Sequence, residues 1–161
     1  MNRSAALLAA AIVGSCFFGL TAQQPIGSGG FTAAQAEAGH TEYANTCGRC
    51  HTYTLLGRKG DPGELPPISS LSAADQKFVK DPPAVPPLAG PVFLSRWGTK
   101  TAAQLITRFQ VTVSDPNFHF EGVTDETTVN ITAYVLQVNG AKAGTQPLTR
   151  TTKGLVNSLI N

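Results

Sequence analysis

Apolar and small residues recur every three or four positions in three stretches of the chain, which is the spacing of an amphipathic helix. The first stretch covers about 32–46, where Thr32 is a suitable N-cap and the following residues are good helix formers. The second covers 101–109 and carries its apolar residues on one side. We expect a helix in each, and we see no regular pattern in 111–123 or 141–161.

The third stretch begins at Thr124, an N-cap residue followed by acidic side chains that suit the positive end of a helix dipole. It ends at Asn139-Gly140, a common helix stop. Several β-branched residues between these limits make a strand the competing interpretation. The spacing and the two end signals favour a helix.

The segment 54–92 has a different character, because eight of the eleven prolines of the chain lie in it. Long regular elements are not expected where prolines are so frequent. One short helix is predicted at 72–79, capped by Ser72. A long loop inside a domain needs a surface to pack against.

The N-terminus is typical of a secretory signal peptide, with Arg3 before a short apolar run and small residues at Thr21-Ala22. We therefore divide the chain into a signal peptide (1–22), a flexible leader (23–30), one domain (31–148) and a C-terminal tail (149–161). Export to the bacterial periplasm is expected. An uncleaved membrane anchor and a lipidated Cys16 are the alternatives, although the apolar run is short for a span.

Composition narrows the functional classes. The 161 residues are 42% hydrophobic and 14% charged, and the formal net charge is +2. No basic stripe with interleaved aromatic residues suggests a nucleic-acid partner. No pattern of nucleophile and base, of paired carboxylates or of a phosphate-binding loop is present, so an enzyme is not expected. Arg58 and Lys59 are interpreted as solvated charges.

Residues 47–51, Cys-Gly-Arg-Cys-His, form the C-x-x-C-H pattern of c-type haem attachment. Two thiols at this spacing add to the two vinyl groups at one edge of a haem, and the histidine that follows binds the iron. We expect one haem c per chain, held covalently by Cys47 and Cys50 with His51 as the axial iron ligand. A Cys47–Cys50 disulfide would leave His51 unexplained, and a zinc site would need further ligands with a suitable spacing.

Three stretches make the chain similar to the single-haem, class I-like cytochromes c of bacteria: 31–51 with the haem motif, 85–98 and 131–144. The resemblance implies an all-α domain of three to five helices around one haem, with 54–92 as a long Pro-rich insertion. It also implies that the first and last helices cross, with Gly39 and Tyr134 as the candidate contact. Pro87 and Leu88 would pack on the haem, and Trp97 is a further candidate for such packing.

The chain departs from this family at the second axial ligand, which is usually a late methionine, because its one methionine is Met1. His119, between Phe118 and Phe120, is the candidate sixth ligand. His40, Lys100 and an empty sixth site remain open as alternatives, whereas Asp115 at the expected methionine position is an unattractive ligand.

The resemblance implies a single-electron carrier that exchanges electrons with a partner such as a periplasmic dehydrogenase or a respiratory complex. No stable membrane span is expected in the mature chain. The alternative is a five-coordinate haem protein that binds small ligands or reacts with peroxide.

Overall fold

A computed structural model describes residues 29–80, 85–118 and 120–160, and these residues form seven α-helices and no β-strand. A single 3-10 turn, Ile68–Ser70, lies between the second and third helices. The predicted signal peptide, most of the predicted leader and His119 lie outside the described residues. The helices are α1 (Ala33–Asn45), α2 (Gly48–His51), α3 (Ala73–Val79), α4 (Pro91–Trp97), α5 (Ala102–Val113), α6 (Asp125–Val138) and α7 (Val156–Ile160).

The helix starts follow the capping signals of the sequence. Thr32 and Thr101 each accept a hydrogen bond from the backbone N–H three residues on, and a glutamine side chain accepts from the backbone N–H of each cap. Thr124 caps α6 and Ser72 caps α3 in the same way, without the returning glutamine. These bonds satisfy backbone donors that lack a partner within the helix. The predicted helices, including a helical rather than extended 125–138, are thus confirmed.

The described chain has seven α-helices, more than the expected three to five. The prediction omits α2 and α7, which have four and five residues. It also omits α4, which begins with Pro91 inside the Pro-rich segment. A proline is favourable there because the first turn of a helix needs no N–H donor. Helix α5 runs four residues further than expected, to Val113.

Helices α1 and α6 form the most extensive helix pair of the fold. Their backbones approach most closely at Gly39, where an added Cβ atom would lie 1.9 Å from the carbonyl oxygen of Asn130. Tyr134 packs on the same side, with its ring centroid 5.4 Å from that of Tyr43. The predicted crossing of the first and last long helices is therefore present at Gly39, which meets the backbone of Asn130, while Tyr134 contacts Tyr43 rather than Gly39 itself.

The two ends of the Pro-rich insertion are joined by backbone hydrogen bonds. The N–H groups of Leu88 and Ala89 donate to the carbonyl of Leu55, and the N–H of Arg58 donates to the carbonyl of Val85. The described residues 59–80 therefore leave the domain from a base that these hydrogen bonds close. This segment contains the 3-10 turn and α3, and its base lies next to the Cys-Gly-Arg-Cys-His motif.

Residues at both ends of the described chain pack against the domain. In the C-terminal tail, Val156 is completely buried, and its N–H donates to the carbonyl of Lys100. Gly29, near the end of the predicted leader, is also buried, and an added Cβ atom there would overlap the carbonyl of Lys142. Within the described ranges no helix is long and apolar enough to cross a membrane.

Candidate functional site

Cys47, Cys50 and His51 of the Cys-Gly-Arg-Cys-His motif open onto a cavity with a volume of about 260 Å³. Its lining is predominantly apolar, which suits a hydrophobic group with few polar contacts. Its walls combine the motif with residues of the insertion and of later helices and loops: Cys47, Cys50, His51, Phe78, Pro86, Pro87, Leu88, Phe93, Trp97, Phe109, Phe118 and Phe120.

The end of α1 and the short helix α2 bring the two thiols and the imidazole to this wall. Helix α1 ends at Asn45, and the carbonyl of Cys47 accepts hydrogen bonds from the N–H groups of Cys50 and His51, at 3.1 and 2.8 Å. One tight turn thus holds all three side chains on one wall of the cavity. Both cysteines are free thiols. Burial raises the pKa of each thiol above its ordinary value, so both are protonated at neutral pH.

The ring of His51 is fixed by the backbone of the insertion. Its Nδ1 atom lies 2.8 Å from the carbonyl oxygen of Pro86. A carbonyl accepts only, so Nδ1 carries the proton and Nε2 keeps its lone pair. Burial lowers the pKa of His51 to about 4, although the bond to Pro86 opposes this shift. His51 is therefore a neutral imidazole at neutral pH, the form that binds a metal.

The chain leaves the motif through an unfavourable turn. Thr52 has φ +64°, a left-handed conformation that β-branched residues rarely adopt. The hydroxyl of Tyr43 on α1 donates to the carbonyl of Thr52 at 2.8 Å, and the threonine side chain is buried. A local strain that persists against a buried network is typical of functional sites. Here it turns the chain from α2 into the segment that meets Val85 and Leu88.

Every residue that the sequence suggested for haem packing lies at this cavity. Pro87, Leu88 and Trp97 line it together with the motif. Phe118 and Phe120, which flank the candidate ligand His119, line it as well.

The remaining candidates for the sixth ligand lie elsewhere. His40 is on α1, where its ring centroid is 5.0 Å from that of Tyr134. Lys100 is exposed after α4, and Asp115 accepts hydrogen bonds from the backbone and side chain of Asn117. No metal-binding group of three or more histidine, cysteine or acidic side chains occurs in the described part of the chain.

Three phenylalanines of the lining were not predicted from the sequence. Phe93 of α4 and Phe109 of α5 are buried at the cavity, and Phe78 of α3 lies at its edge. Phe78 and Phe109 lie within predicted helices. Phe109 is on the apolar side of its helix, a position from which burial could have been predicted. For Phe93 no such prediction was possible, because its helix was not expected after so many prolines.

The interpretation of Arg58 as a solvated charge was wrong. Arg58 is only 4% exposed, and its Nη2 atom donates to the carbonyls of Arg49 and Pro66, at 2.8 and 2.6 Å. Its Nη1 atom lies 3.7 Å from a carboxylate oxygen of Glu64. Arg58 therefore binds the insertion to the backbone of the motif. Lys59 is exposed, as expected.

Comparison of the chain with protein-family models, with curated proteins and with solved structures finds no match.

Proposed function

We propose that this protein is a single-haem c-type cytochrome that carries one electron at a time. One observation carries the proposal: Cys47, Cys50 and His51 share one wall of an apolar cavity, and the imidazole has its Nδ1 proton committed to Pro86. The hydrogen bond to the carbonyl orients the ring and leaves Nε2 to a metal, which is the usual arrangement around histidine ligands.

The residues present suit a haem. Cys47 and Cys50 would hold it through thioether bonds, and His51 would bind the iron through Nε2. When bound, the haem supplies a one-electron iron couple, whose potential depends on the axial ligands and on burial. The chain's own part is to hold the ring of His51 in one orientation and to exclude water with the apolar wall formed by Leu88, Phe93 and Phe109.

The proposed setting follows from the N-terminal pattern and the motif. Haem attachment through thioether bonds suits an exported chain, and we place the protein in the bacterial periplasm with no stable membrane span in its mature form. Its partner would be a periplasmic dehydrogenase or a respiratory complex. In this role the protein performs no bond chemistry itself.

A second candidate function has its own support. Among the described residues that line the cavity, His51 is the one histidine, and the chain has no methionine after Met1. An open sixth site would make the protein a five-coordinate haem protein that binds small ligands or reacts with peroxide. His119 remains the candidate that would close this site, because its neighbours Phe118 and Phe120 both line the cavity.

Absorption spectra of the purified protein, oxidised and reduced, with and without carbon monoxide, test both functions. An electron carrier shows a low-spin c-type spectrum that reduces reversibly and does not change with carbon monoxide. In that case His119→Ala is the next variant, with His40→Ala as its control. A high-spin spectrum that shifts with carbon monoxide supports the second function, and the absence of a haem spectrum rejects both.

A further inference from the structure

Five side chains form a closed ring of contacts beside the cavity. Arg49 pairs with Asp75 at 3.5 Å, and the Cζ atom of Arg49 lies 5.7 Å from the ring centroid of Phe120. The Phe118 ring lies between the rings of Phe120 and Phe78, with centroids 6.0 and 5.0 Å away. Asp75 and Phe78 both belong to α3, which closes the circuit. We call these five residues the α3 cluster.

The α3 cluster joins three segments that are distant in sequence. Arg49 is one of the two variable residues inside the Cys-Gly-Arg-Cys-His motif. Asp75 and Phe78 come from the Pro-rich insertion, and Phe118 and Phe120 come from the loop between α5 and α6. Each segment contacts the other two, so displacement of α3 breaks an ion pair on one side and an aromatic contact on the other. Cation–π and offset aromatic contacts are individually modest but directional.

Phe78 occupies the boundary between the cavity and solvent. It lines the cavity and yet keeps 37% of its surface exposed. Phe118 and Phe120 continue the same wall. Helix α3 is positioned for this by the ion pair, since the Asp75 side chain is only 13% exposed at its contact with Arg49. The helix also buries Val79.

We propose that the α3 cluster restricts the access of small neutral iron ligands, such as carbon monoxide, to the haem. In this proposal Phe78 is the barrier, and the Arg49–Asp75 pair holds Phe78 in position. This inference rests on the second candidate function, in which the sixth site of the iron is open to small ligands, and it gives the Pro-rich insertion a role in that function. Loss of the Phe78 ring opens the wall directly. Loss of the Asp75 charge frees α3 without removing any part of the wall.

The test is the rate of carbon monoxide association with the reduced protein after rapid mixing. The variants are Phe78→Ala and Asp75→Asn. Val138→Ala is the control for the first, because Val138 is similarly exposed on α6. Asp125→Asn is the control for the second, because it breaks the exposed Asp125–Arg150 pair. We expect association at least about tenfold faster in both test variants, and rates within about twofold of the parent in both controls.

The outcomes separate the two proposals. If haem is bound and the rates of Phe78→Ala and Asp75→Asn stay within twofold of the parent, the barrier is rejected and the haem function stands. An equal acceleration in the control variants also rejects it, because general loosening then accounts for the effect. If Phe78→Ala does not fold, Phe78→Leu and Asp75→Asn keep the test decisive. Protein without haem, or reduced protein that does not bind carbon monoxide, rejects the function on which the barrier rests, and the barrier with it.

Discussion

The Nδ1 atom of His51 lies 2.8 Å from the carbonyl oxygen of Pro86, which is 35 residues further along the chain. The contact ties the Cys-Gly-Arg-Cys-His motif to the far end of the Pro-rich insertion. It depends on the closed base of that insertion, where Leu88 donates to Leu55 and Arg58 to Val85. Because these hydrogen bonds hold the two ends of the insertion together, Pro86 stays beside His51 and the ring of the histidine keeps one orientation.

The tautomer of His51 is a direct prediction from this contact. In the reduced protein, with carbon monoxide added if the iron accepts it, the ring proton of His51 should be on Nδ1 and should exchange slowly with water. Nitrogen-15 NMR of the histidine rings measures both properties. The exposed ring of His40 is the internal reference for fast exchange. A His51 ring without a proton on Nδ1 would contradict the assignment.

The crossing of α1 and α6 predicts a large effect of one methyl group. Gly39→Ala places a Cβ atom 1.9 Å from the Asn130 carbonyl, so the two helices must separate. Overpacking of this kind costs about 3 kcal/mol of unfolding free energy. Chemical denaturation of the purified protein measures it. Gly63→Ala is the matched control, because a Cβ atom there meets nothing within 4 Å. A loss below about 0.5 kcal/mol in Gly39→Ala, the range of ordinary surface changes, would contradict the close crossing.

Glu42 predicts a dependence of stability on pH. One of its carboxylate oxygens is buried without a hydrogen-bond partner among the described residues, and burial raises the pKa of this carboxyl. A hydrogen bond from Asn130 opposes the shift, and the charge of Glu126 adds to it. The folded protein thus holds this proton more tightly than the unfolded chain. The resulting stabilisation is present below the ordinary pKa of 4.5 and is lost as the pH rises through the raised value.

Glu42→Gln should therefore stabilise the protein at pH 7, by less than about 1 kcal/mol, because it removes the charge on a buried, unpaired oxygen while the rest of the carboxyl is screened by solvent. The gain should vanish near pH 4, where the native carboxyl is already neutral. Unfolding curves between pH 4 and 8 give the comparison. Glu37→Gln, at an exposed position of the same helix, should change little at any pH. A gain that is equal at pH 4 and pH 7 would show that the Glu42 charge is not responsible.

Arg58 should contribute strongly to stability although it lies in a loop. Arg58→Met removes the donor to the carbonyls of Arg49 and Pro66 and leaves Glu64 without its cation. Removal of one partner from a buried ion pair costs about 3 kcal/mol. Lys59→Met, next to it but exposed, should stay within about 0.5 kcal/mol of the parent. Thermal and chemical unfolding measure both, and equal losses in the two variants would contradict the role of Arg58.

The sequence was a good guide wherever local signals decide the structure. Thr32, Thr101 and Thr124 each place a helix start, since a hydroxyl at the N-cap satisfies a backbone donor whatever the tertiary context. The spacing in the Cys-Gly-Arg-Cys-His motif likewise placed two thiols and an imidazole together. The α1–α6 crossing at Gly39 was accessible only through the resemblance to a known family, because a single glycine in a helix does not indicate which helix packs against it.

Long-range contacts account for what could not be predicted from the sequence. Arg58 gives no sign of burial, because its partners are two carbonyls and Glu64, which only the folded loop brings together. Val156 in the tail lies in no periodic pattern, and its burial depends on a backbone bond to Lys100. The pairing of Phe78 with Phe118 joins the insertion to a loop some 40 residues away, and nothing in either segment indicates the other.

Covalent attachment of a haem to Cys47 and Cys50 is measured by the mass and haem content of the denatured protein after production in a host that matures c-type cytochromes. The parent protein should keep one haem per chain after denaturation and organic extraction. The Cys47→Ser/Cys50→Ser variant should keep none. Parent protein that carries no covalent haem, or a double variant that keeps it, would mean that these two cysteines do not attach a haem.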